Sequence, residues 1–574
     1  MMMENLRLGL GAAARRIRRF GPADDGVMAP QILFFFFMML LVGGVAVDVM
    51  RFETRRVAVQ NTMDRATLAA ASLEQRLTPE DVVNDYFDKA GLGEELDSIT
   101  VDEGMNYRIV QAKATVKSGN YFMSMMDIPY LEAQNRSQAE QRVTNVEIAL
   151  VVDVSGSMYN SPSRIANLKT AAKDFVDTVL DNDTENKISI ALVPYNGQVN
   201  IGPDLYSKFT KSDAHSYPNS YCLDLPTSTY SNTTLSLSTA YPQTPFGDSW
   251  SGTSQSTSYV TIQTPTYDSS RGLYSNVWCQ PVAANYVRPF NNDRTTIKNQ
   301  INALVAIGAT SIDLGMKWGS FLLDPSSRSI NADLSAVPSY FKTRPADYGD
   351  IETLKVLVLM TDGENFEQER FGEDYRSETS PIWRANSGGY MSIFHASKVD
   401  SSTSTRLCNS RPFWVPHANS GAGAWHSRPW NGTTPSSSAC YSPTASYTGA
   451  TRLTWNQVWT YARTDWVAWQ MYARPLCSSS SCRSSTYNLW EGNFAGYTDT
   501  GTMDSRLDQV CEAAKANGVI VYGIAFEAPT GGANAIRNCV SEPTSTYFFD
   551  VDGLEIGTAF ALIASNLSQL RLTQ

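Results

Sequence analysis

The chain has 574 residues, 42% of them hydrophobic, with 57 acidic and 46 basic side chains and a net charge of −11. That length allows more than one domain and a large core, and the negative balance argues against a general nucleic-acid binder, which needs a basic face to neutralise phosphates. Only four histidines occur, His215, His395, His417 and His426, too few and too scattered to suggest a histidine-based hydrolase or a multi-histidine zinc site.

No charge occurs from Gly26 to Val47, and ILFFFFMMLLVGGVAV (Ile32 to Val47) is almost wholly apolar. Roughly 20 residues rising about 1.5 Å each cross a bilayer, so this stretch is long enough to span. A cleaved signal peptide is the competing reading. The length of the run and the lack of a small-x-small site at its end favour a retained anchor. Val45, Val49, Phe52, Arg56, Val59, Met63, Ala66, Ala70 and Leu73 then continue a helical stripe, spaced by four and three and broken by one arginine. The stripe can serve to pair with another membrane helix or to pack on the segment that follows. The expected organisation is a basic tail over 1–27, a transmembrane helix over 28–50 and its continuation over 51–77. A small α/β module over 78–145 and a large domain over 146–574 follow.

Arg15, Arg16, Arg18 and Arg19 precede the span, and Arg51, Arg55 and Arg56 follow it, so arginine placement favours a cytoplasmic N-terminus only weakly. All eight cysteines lie beyond residue 220, in a region rich in Ser, Thr and Tyr, which suits an oxidising compartment on the far side. Many pairings are open. Neighbours along the chain would be Cys222 with Cys279, Cys408 with Cys440, Cys477 with Cys482, and Cys511 with Cys539.

TPEDVVNDYFDKAG predicts a helix over 79–90, with a threonine cap, proline in the first turn and a closing glycine. In SITVDEGMNYRIVQAKATVKS, Ile109, Gln111, Lys113 and Thr115 alternate with Val110, Ala112, Ala114 and Val116, which reads as a β-hairpin. From Asn145 the rhythm changes. NVEIALVVDV, KISIALVPY, LKVLVLM and VIVYGIAF are continuous apolar runs of strand length. Between them RIANLKTAAKDFVDTVL, RTTIKNQINAL, RLDQVCEAAKANG and LEIGTAFALIASNLSQL carry helical spacing. Such alternation predicts an α/β fold with a mostly parallel sheet covered on both faces. Two long insertions interrupt it, at about 203–290 and about 366–500, the second holding nine of the twelve tryptophans.

In an open parallel sheet, ligands sit beyond the carboxyl ends of the strands. Asp153, Ser155 and Ser157 follow the first run in VVDVSGSM, Thr310 stands in AIGATSIDLGM, and Asp362 in LVLMTDGEN. Together they offer two carboxylates and three hydroxyls, a hard oxygen set suited to Mg²⁺, with Mn²⁺ or Ca²⁺ as alternatives. Few direct carboxylates would leave such an ion electron-poor and able to attract an acid from a partner. The bland alternative is a helix cap by Asp153 and Ser155. A metal-assisted hydrolase lacks a general base beside Asp153, with Glu364 the only candidate; no enzyme is expected.

DVSGSM, GATSIDLGM and TDGEN resemble the three loops of the metal-ion-dependent adhesion site of von Willebrand factor A domains. The resemblance implies Asp153, Ser155, Ser157, Thr310 and Asp362 as the coordinating set, with the serines binding directly and the acids often acting through water. It also implies a doubly wound sheet with one antiparallel edge strand. The arginine-rich start, the span, VQNTMDRATLAAAS, YFMSMMDIPYLEAQNRSQA, GMKWGSFLLDP and the ending RNCVSEPTSTYFFDV…IASNLSQLRL are similar to TadG-type proteins of Flp (tight adherence) pilus assembly. In that family a cysteine pair falls where Cys511 and Cys539 stand. No prepilin-type site with a glutamate five residues on follows Gly26, and Asp48 lies too deep to substitute. The implied role is an inner-membrane, single-pass component with its bulk periplasmic, binding pilus assembly components or minor pilins through a carboxylate. The alternative is a surface adhesin whose aromatic-rich insertions bind host or matrix ligands.

Overall fold

The computed structural model describes residues 28–573 apart from 73, 74, 76, 104–106, 143, 144, 182, 184, 185, 250–260 and 351. The basic tail over 1–27 and Leu73, the last position of the predicted stripe, lie outside the described residues. The chain divides into two units, Met1–Val143 with Arg571–Gln574, and Thr144–Leu570.

The first unit begins with α1 (Met28–Ala70), whose first fifteen residues are all exposed and apolar or uncharged. Among the described residues it is the one helix long and apolar enough to cross a membrane. After it come α2 (Pro79–Lys89), β1 (Leu96–Glu103), β2 (Tyr107–Gly119) and β3 (Tyr130–Arg142), the strands forming an antiparallel sheet in that order. The Thr78 hydroxyl accepts the Asp81 N–H at 3.3 Å and caps α2. Val59, Met63, Ala66 and Ala70 of α1 close over Val83 and Phe87 of α2 and over Val110, Ala112, Ala114 and Val116 of β2. The lower half of the stripe therefore packs on its own module. Higher up the expectation fails: Val49 is exposed, and Gly44 and Asp48 are the buried positions. The cause is a loop seated on that face, described below.

The third strand is absent from the sequence reading. Its inward positions are Ala133, Asn135, Ser137 and Ala139, small or polar, so they give no apolar alternation. They meet α1 by hydrogen bonds instead. The Asn135 amide donates to the Arg56 carbonyl at 3.1 Å, and the Ser137 hydroxyl donates to Asp64 at 2.6 Å.

In the second unit, β4 (Asn145–Asp153), α3 (Pro162–Leu180), β5 (Ile188–Tyr195), β6 (Arg288–Asn291), α4 (Arg294–Ala303), α5 (Ile312–Leu323), β7 (Thr353–Thr361), α6 (Thr500–Ala516), β8 (Ile520–Phe526), α7 (Thr530–Cys539), β9 (Phe548–Val551) and α8 (Glu555–Thr573) build the α/β body. The strand order is β6-β5-β4-β7-β8-β9. All neighbours are parallel except β6, which runs antiparallel to β5 at one edge. This is the mostly parallel sheet expected from the alternation, doubly wound and with one antiparallel edge strand as the resemblance implies. Alternate residues of each strand feed opposite faces. Ile148, Leu150, Val356 and Val358 meet α3 and α8, while Ala149, Val151, Leu357 and Leu359 meet α5.

Every residue of α5 is buried. Gly315 and Gly319 make that possible: a Cβ at Gly319 would stand 2.5 Å from Val151, and one at Gly315 2.6 Å from the Tyr195 ring. A larger residue at either place would lift the helix off the sheet. The buried Lys317 on its other side donates to the Asn232 and Thr234 carbonyls at 2.7 and 2.9 Å, tying the first insertion down.

The two insertions differ in kind. Among its described residues the first has only short ladders, and its Leu205, Phe209, Leu225, Tyr230 and Tyr241 join the core beside α5. The second enters and leaves through an antiparallel ribbon, Gln368–Phe371 with Ala495–Thr498, and contains its own five-stranded antiparallel sheet. Its nine tryptophans are all buried or half-buried, most of them in a separate core with Phe371, Val458 and Phe494. Cys222 is bonded to Cys279 in the first insertion, Cys408 to Cys440 and Cys477 to Cys482 in the second, and Cys511 on α6 to Cys539 on α7.

Candidate functional site

The sheet changes winding direction between β4 and β7, the first strands of its two halves, and their carboxyl ends lie side by side there. Asp153 is the last residue of β4, and Asp362 directly follows β7. Backbone hydrogen bonds sew three loops together at this point. The Ile307 N–H donates to the Val154 carbonyl, the Gly156 N–H to Gly308, and the Phe366 N–H to Thr310, all at 2.8 to 2.9 Å. The loop after β7 is pressed further by α7, since a Cβ on Gly532 would stand 1.9 Å from the Gly363 carbonyl. Only glycine fits that approach.

The side chains follow from this frame. Asp153 is fully buried; one oxygen accepts the Ser155 N–H at 2.7 Å and the other the Thr361 hydroxyl at 2.8 Å. The Ser155 and Ser157 hydroxyls are 2.8 Å apart, and Ser157 donates to Asp362 at 2.6 Å. Ser155 reaches the same Asp362 oxygen at 3.4 Å. The Thr310 and Ser157 hydroxyls lie 3.5 and 3.8 Å from where a Cβ on Gly363 would sit, so both face one spot beside Asp362. All five residues singled out in the sequence are thus brought together.

Three partners were not singled out in the sequence, although Thr361 stands inside TDGEN. Thr361 holds Asp153. Arg164, on the first turn of α3, donates to the second oxygen of Asp362 at 3.0 Å and to Glu527 at 2.7 Å. Glu527 follows β8 with a left-handed backbone, φ 50°. A residue that matters because it counters another's charge across the fold has no spacing to read.

Electrostatically the site is short of positive charge. Burial, reinforced by the neighbouring Asp362 carboxylate, pushes Asp153 up to about 7. Burial also raises Asp362, despite the hydrogen bond from Ser157 and the guanidinium of Arg164. Arg164 reaches one oxygen of Asp362 and none of Asp153, and it is shared with Glu527. Two buried acids flanked by three hydroxyls fit a small, hard divalent cation, which would supply the missing charge. Among the described residues, no group of three or more His, Cys, Asp and Glu side chains is arranged to hold a metal, so any such site here is a mixed acid–hydroxyl one.

Above these groups opens a cleft of about 790 Å³, with Ser157, Thr310 and Asp362 on its floor. Val277, Trp278, Phe366 and Pro529 give it an apolar wall, and Glu364 and Glu527 an acidic one. The four histidines take no part. His215 and His395 bond to backbone carbonyls of Thr244 and Met471, and His417 stacks on Tyr390.

Comparison with known proteins adds the following. Residues 26–73 match the Tad family model, described as "Putative Flp pilus-assembly TadE/G-like". The chain thus carries a TadE/G-like N-terminal segment ahead of its A-type sheet. The sequence has no match among curated proteins. Among solved structures it is similar to the von Willebrand factor domain of the type V pili tip protein Mfa5 from Porphyromonas gingivalis, at 12% identity and a TM-score of 0.30, covering 75% of this chain and 98% of that one. It is also similar to the pilus adhesin SpaC from Lactobacillus rhamnosus GG, at 10% identity and a TM-score of 0.27, covering 82% of this chain and 34% of that one. A third is proximal thread matrix protein 1 from the mussel byssus, described with a zinc-occupied MIDAS motif, at 11% identity and a TM-score of 0.24, covering 74% and 46%. The chain spans about a third of the second and under half of the third. With scores this low, the fold is assigned from the strand order itself.

Proposed function

We propose that this protein is a membrane-anchored component of Flp/Tad pilus assembly that grips an acidic group on a partner protein through a divalent cation at Asp153, Ser155, Ser157, Thr310 and Asp362. One observation carries the reading: two buried carboxylates and three hydroxyls, drawn from three separate loops, converge under an open cleft at the switch point of the sheet. Ser155, Ser157 and Thr310 would bind the ion directly, and Asp153 and Asp362 would act through water. A cation so held supplies one open coordination position with net positive charge. Thr361 keeps Asp153 aimed at the site, and Arg164 limits how much negative charge Asp362 presents. Mg²⁺ suits this donor set best, with Mn²⁺ and Ca²⁺ as the competitors.

In this reading residues 1–27 are a cytoplasmic tail, 28–50 cross the inner membrane, the helix runs onward only to Ala70 and not to 77 as expected, and the modules over 78–145 and 146–574 stand in the periplasm. The TadE/G-like match over 26–73 and the four disulfides support that placement. The role is structural and non-enzymatic. The partners are pilus assembly components or minor pilins offering a carboxylate. A surface adhesin using its aromatic insertions has less support, because none of the nine tryptophans of the second insertion is exposed.

The test is capture of pilus components from membranes by the full chain, with Mg²⁺ and with chelator, comparing Asp153→Ala. Capture that depends on Mg²⁺ and is lost in the folded variant supports the reading. Equal capture by both chains, or capture indifferent to chelator, overturns it.

A further inference from the structure

The loop between β2 and β3 is the least expected surface of the first unit. Over ten residues, YFMSMMDIPY (Tyr121–Tyr130), it exposes Tyr121, Phe122, Met125, Met126, Ile128 and Tyr130, with Met125 84% accessible. It is nonetheless a built structure. The Asn120 N–H and amide bond the Pro129 and Ile128 carbonyls at 3.0 and 3.1 Å, and a short 3₁₀ turn spans Met123–Met126. So many adjoining apolar side chains on one ordered loop call for an apolar surrounding.

The loop's docking on α1 shows which surrounding. Asp48, the first charged residue after the apolar run, accepts the N–H groups of Tyr121, Phe122 and Met123 at 3.1, 2.7 and 2.8 Å. Its carboxylate is 1% accessible and fully engaged by the backbone. One turn toward the apolar end, the Phe122 ring lies on Gly44, where a Cβ would meet it at 2.3 Å. The loop is therefore fastened at the level of residues 44–48, beside exposed Leu40, Leu41, Val42 and Val47 of the span. Its exposed apolar side chains thus adjoin the apolar surface of the helix at Gly44. Two cations border the patch: the Arg51 guanidinium lies 4.2 Å over the Tyr121 ring and the Lys117 ammonium 3.8 Å over Tyr130. Tyrosines under basic side chains, with apolar residues below, are the pattern of the lipid headgroup boundary.

We propose that Tyr121–Tyr130 is a membrane-inserting loop, which buries Phe122, Met125 and Met126 in lipid at the C-terminal end of the span. The inference rests on α1 crossing the bilayer. The protein then holds the membrane at two points, and the second fixes the rotation of α1 and the height of the β1–β3 sheet above the surface.

The experiment uses the full chain in phosphatidylcholine/phosphatidylglycerol vesicles, spin-labelled at a single added cysteine. The native cysteines are disulfide-bonded, so the added thiol is the one that reacts. Labels are compared at Met125→Cys, at Leu41→Cys within the span, and at Lys113→Cys on the exposed face of β2. Collision with oxygen, which partitions into lipid, is measured against collision with a water-soluble nickel chelate. The expected result is an oxygen-to-nickel ratio for M125C several-fold above that of K113C and near that of L41C. If M125C matches K113C while L41C is in lipid, the loop does not insert and the inference falls. Shielding of M125C from both reagents means that a protein covers the loop, which also overturns it. A water-accessible L41C removes the span itself, and the inference with its premise.

Discussion

Two buried carboxylate arrangements in this molecule, at Asp48 and at Asp153 with Asp362, are opposites. Asp48 accepts three backbone N–H groups and lacks nothing. Asp153 and Asp362 face one another across serine hydroxyls, with a single guanidinium to offset two charges. The first arrangement is complete within the chain and reads as architecture. The second is left short of positive charge, which in the proposed reading a bound cation supplies. Glu369 and Glu491, in the second insertion and its neck, stand between them. Each accepts one side-chain hydrogen bond, from the Trp278 indole and the Thr464 hydroxyl, with burial pushing both up to about 7.

The comparison breaks or sharpens in four measurements. The largest effect belongs to Asp153→Ala, which should reduce Mg²⁺-dependent partner capture about 10- to 100-fold, the loss expected for a residue that acts on the ion through water. The far-ultraviolet circular dichroism should stay unchanged and the thermal midpoint should not fall, because a buried, under-compensated acid has been removed. If the midpoint drops sharply with capture intact, the pair is architectural after all.

Next comes pH. The folded protein holds protons on Glu369 and Glu491 up to about 7, whereas an unfolded glutamate releases its own near 4.5. Between those values the folded state binds more protons, so stability falls as pH rises from about 4.5 to 7 and levels off above. Replacing both by glutamine should flatten that slope, a change of up to about 5 kcal/mol for the pair between pH 5 and 7.5, at ~1.4 kcal/mol per unit over about two units for each group. Denaturant melts of the full chain in detergent at the two pH values check it.

For Asp48→Ala, the prediction is local. The amides of Tyr121, Phe122 and Met123 should exchange with solvent about tenfold faster or more, read by hydrogen-exchange mass spectrometry, with the exchange of β2 itself unaffected. Smallest is Arg164→Gln. Removing the guanidinium that Asp362 now shares should tighten Mg²⁺ binding by about threefold to tenfold, measured by titration calorimetry at moderate salt. Weaker binding would mean that Arg164 positions Asp362 rather than competing for its charge.

How much of this was legible in advance depended on whether a residue's role repeats along the chain. The apolar strand runs, the capped helix after Thr78 and the stripe from Val59 to Ala70 all carry a period, and the structure has each of them. Strand β3 and helix α5 do not. The first turns Ala133, Asn135, Ser137 and Ala139 inward, and the second is buried on every side, so neither shows the contrast between faces from which amphipathic elements are read. The edge strands β6 and β9, four residues each, are too short for a period. At the candidate site, Asp153, Ser155, Ser157, Thr310 and Asp362 stood out because acids and hydroxyls recur after strands. Thr361, Arg164 and Glu527 did not.

By itself the sequence determined what each segment would be: an apolar span, covered parallel strands, three oxygen-bearing turns and a Ser/Thr/Tyr-rich region holding every cysteine. These are properties of composition and local period, and they survive without knowing any neighbour. Only the tertiary structure decided which turns meet, that Arg164 guards Asp362, that the second insertion hides its tryptophans in a core of its own, and that the loop from Tyr121 to Tyr130 lies beside the span. Each of those is a contact between residues far apart in the chain, and the energy of such a contact depends on distance and burial that no local pattern encodes.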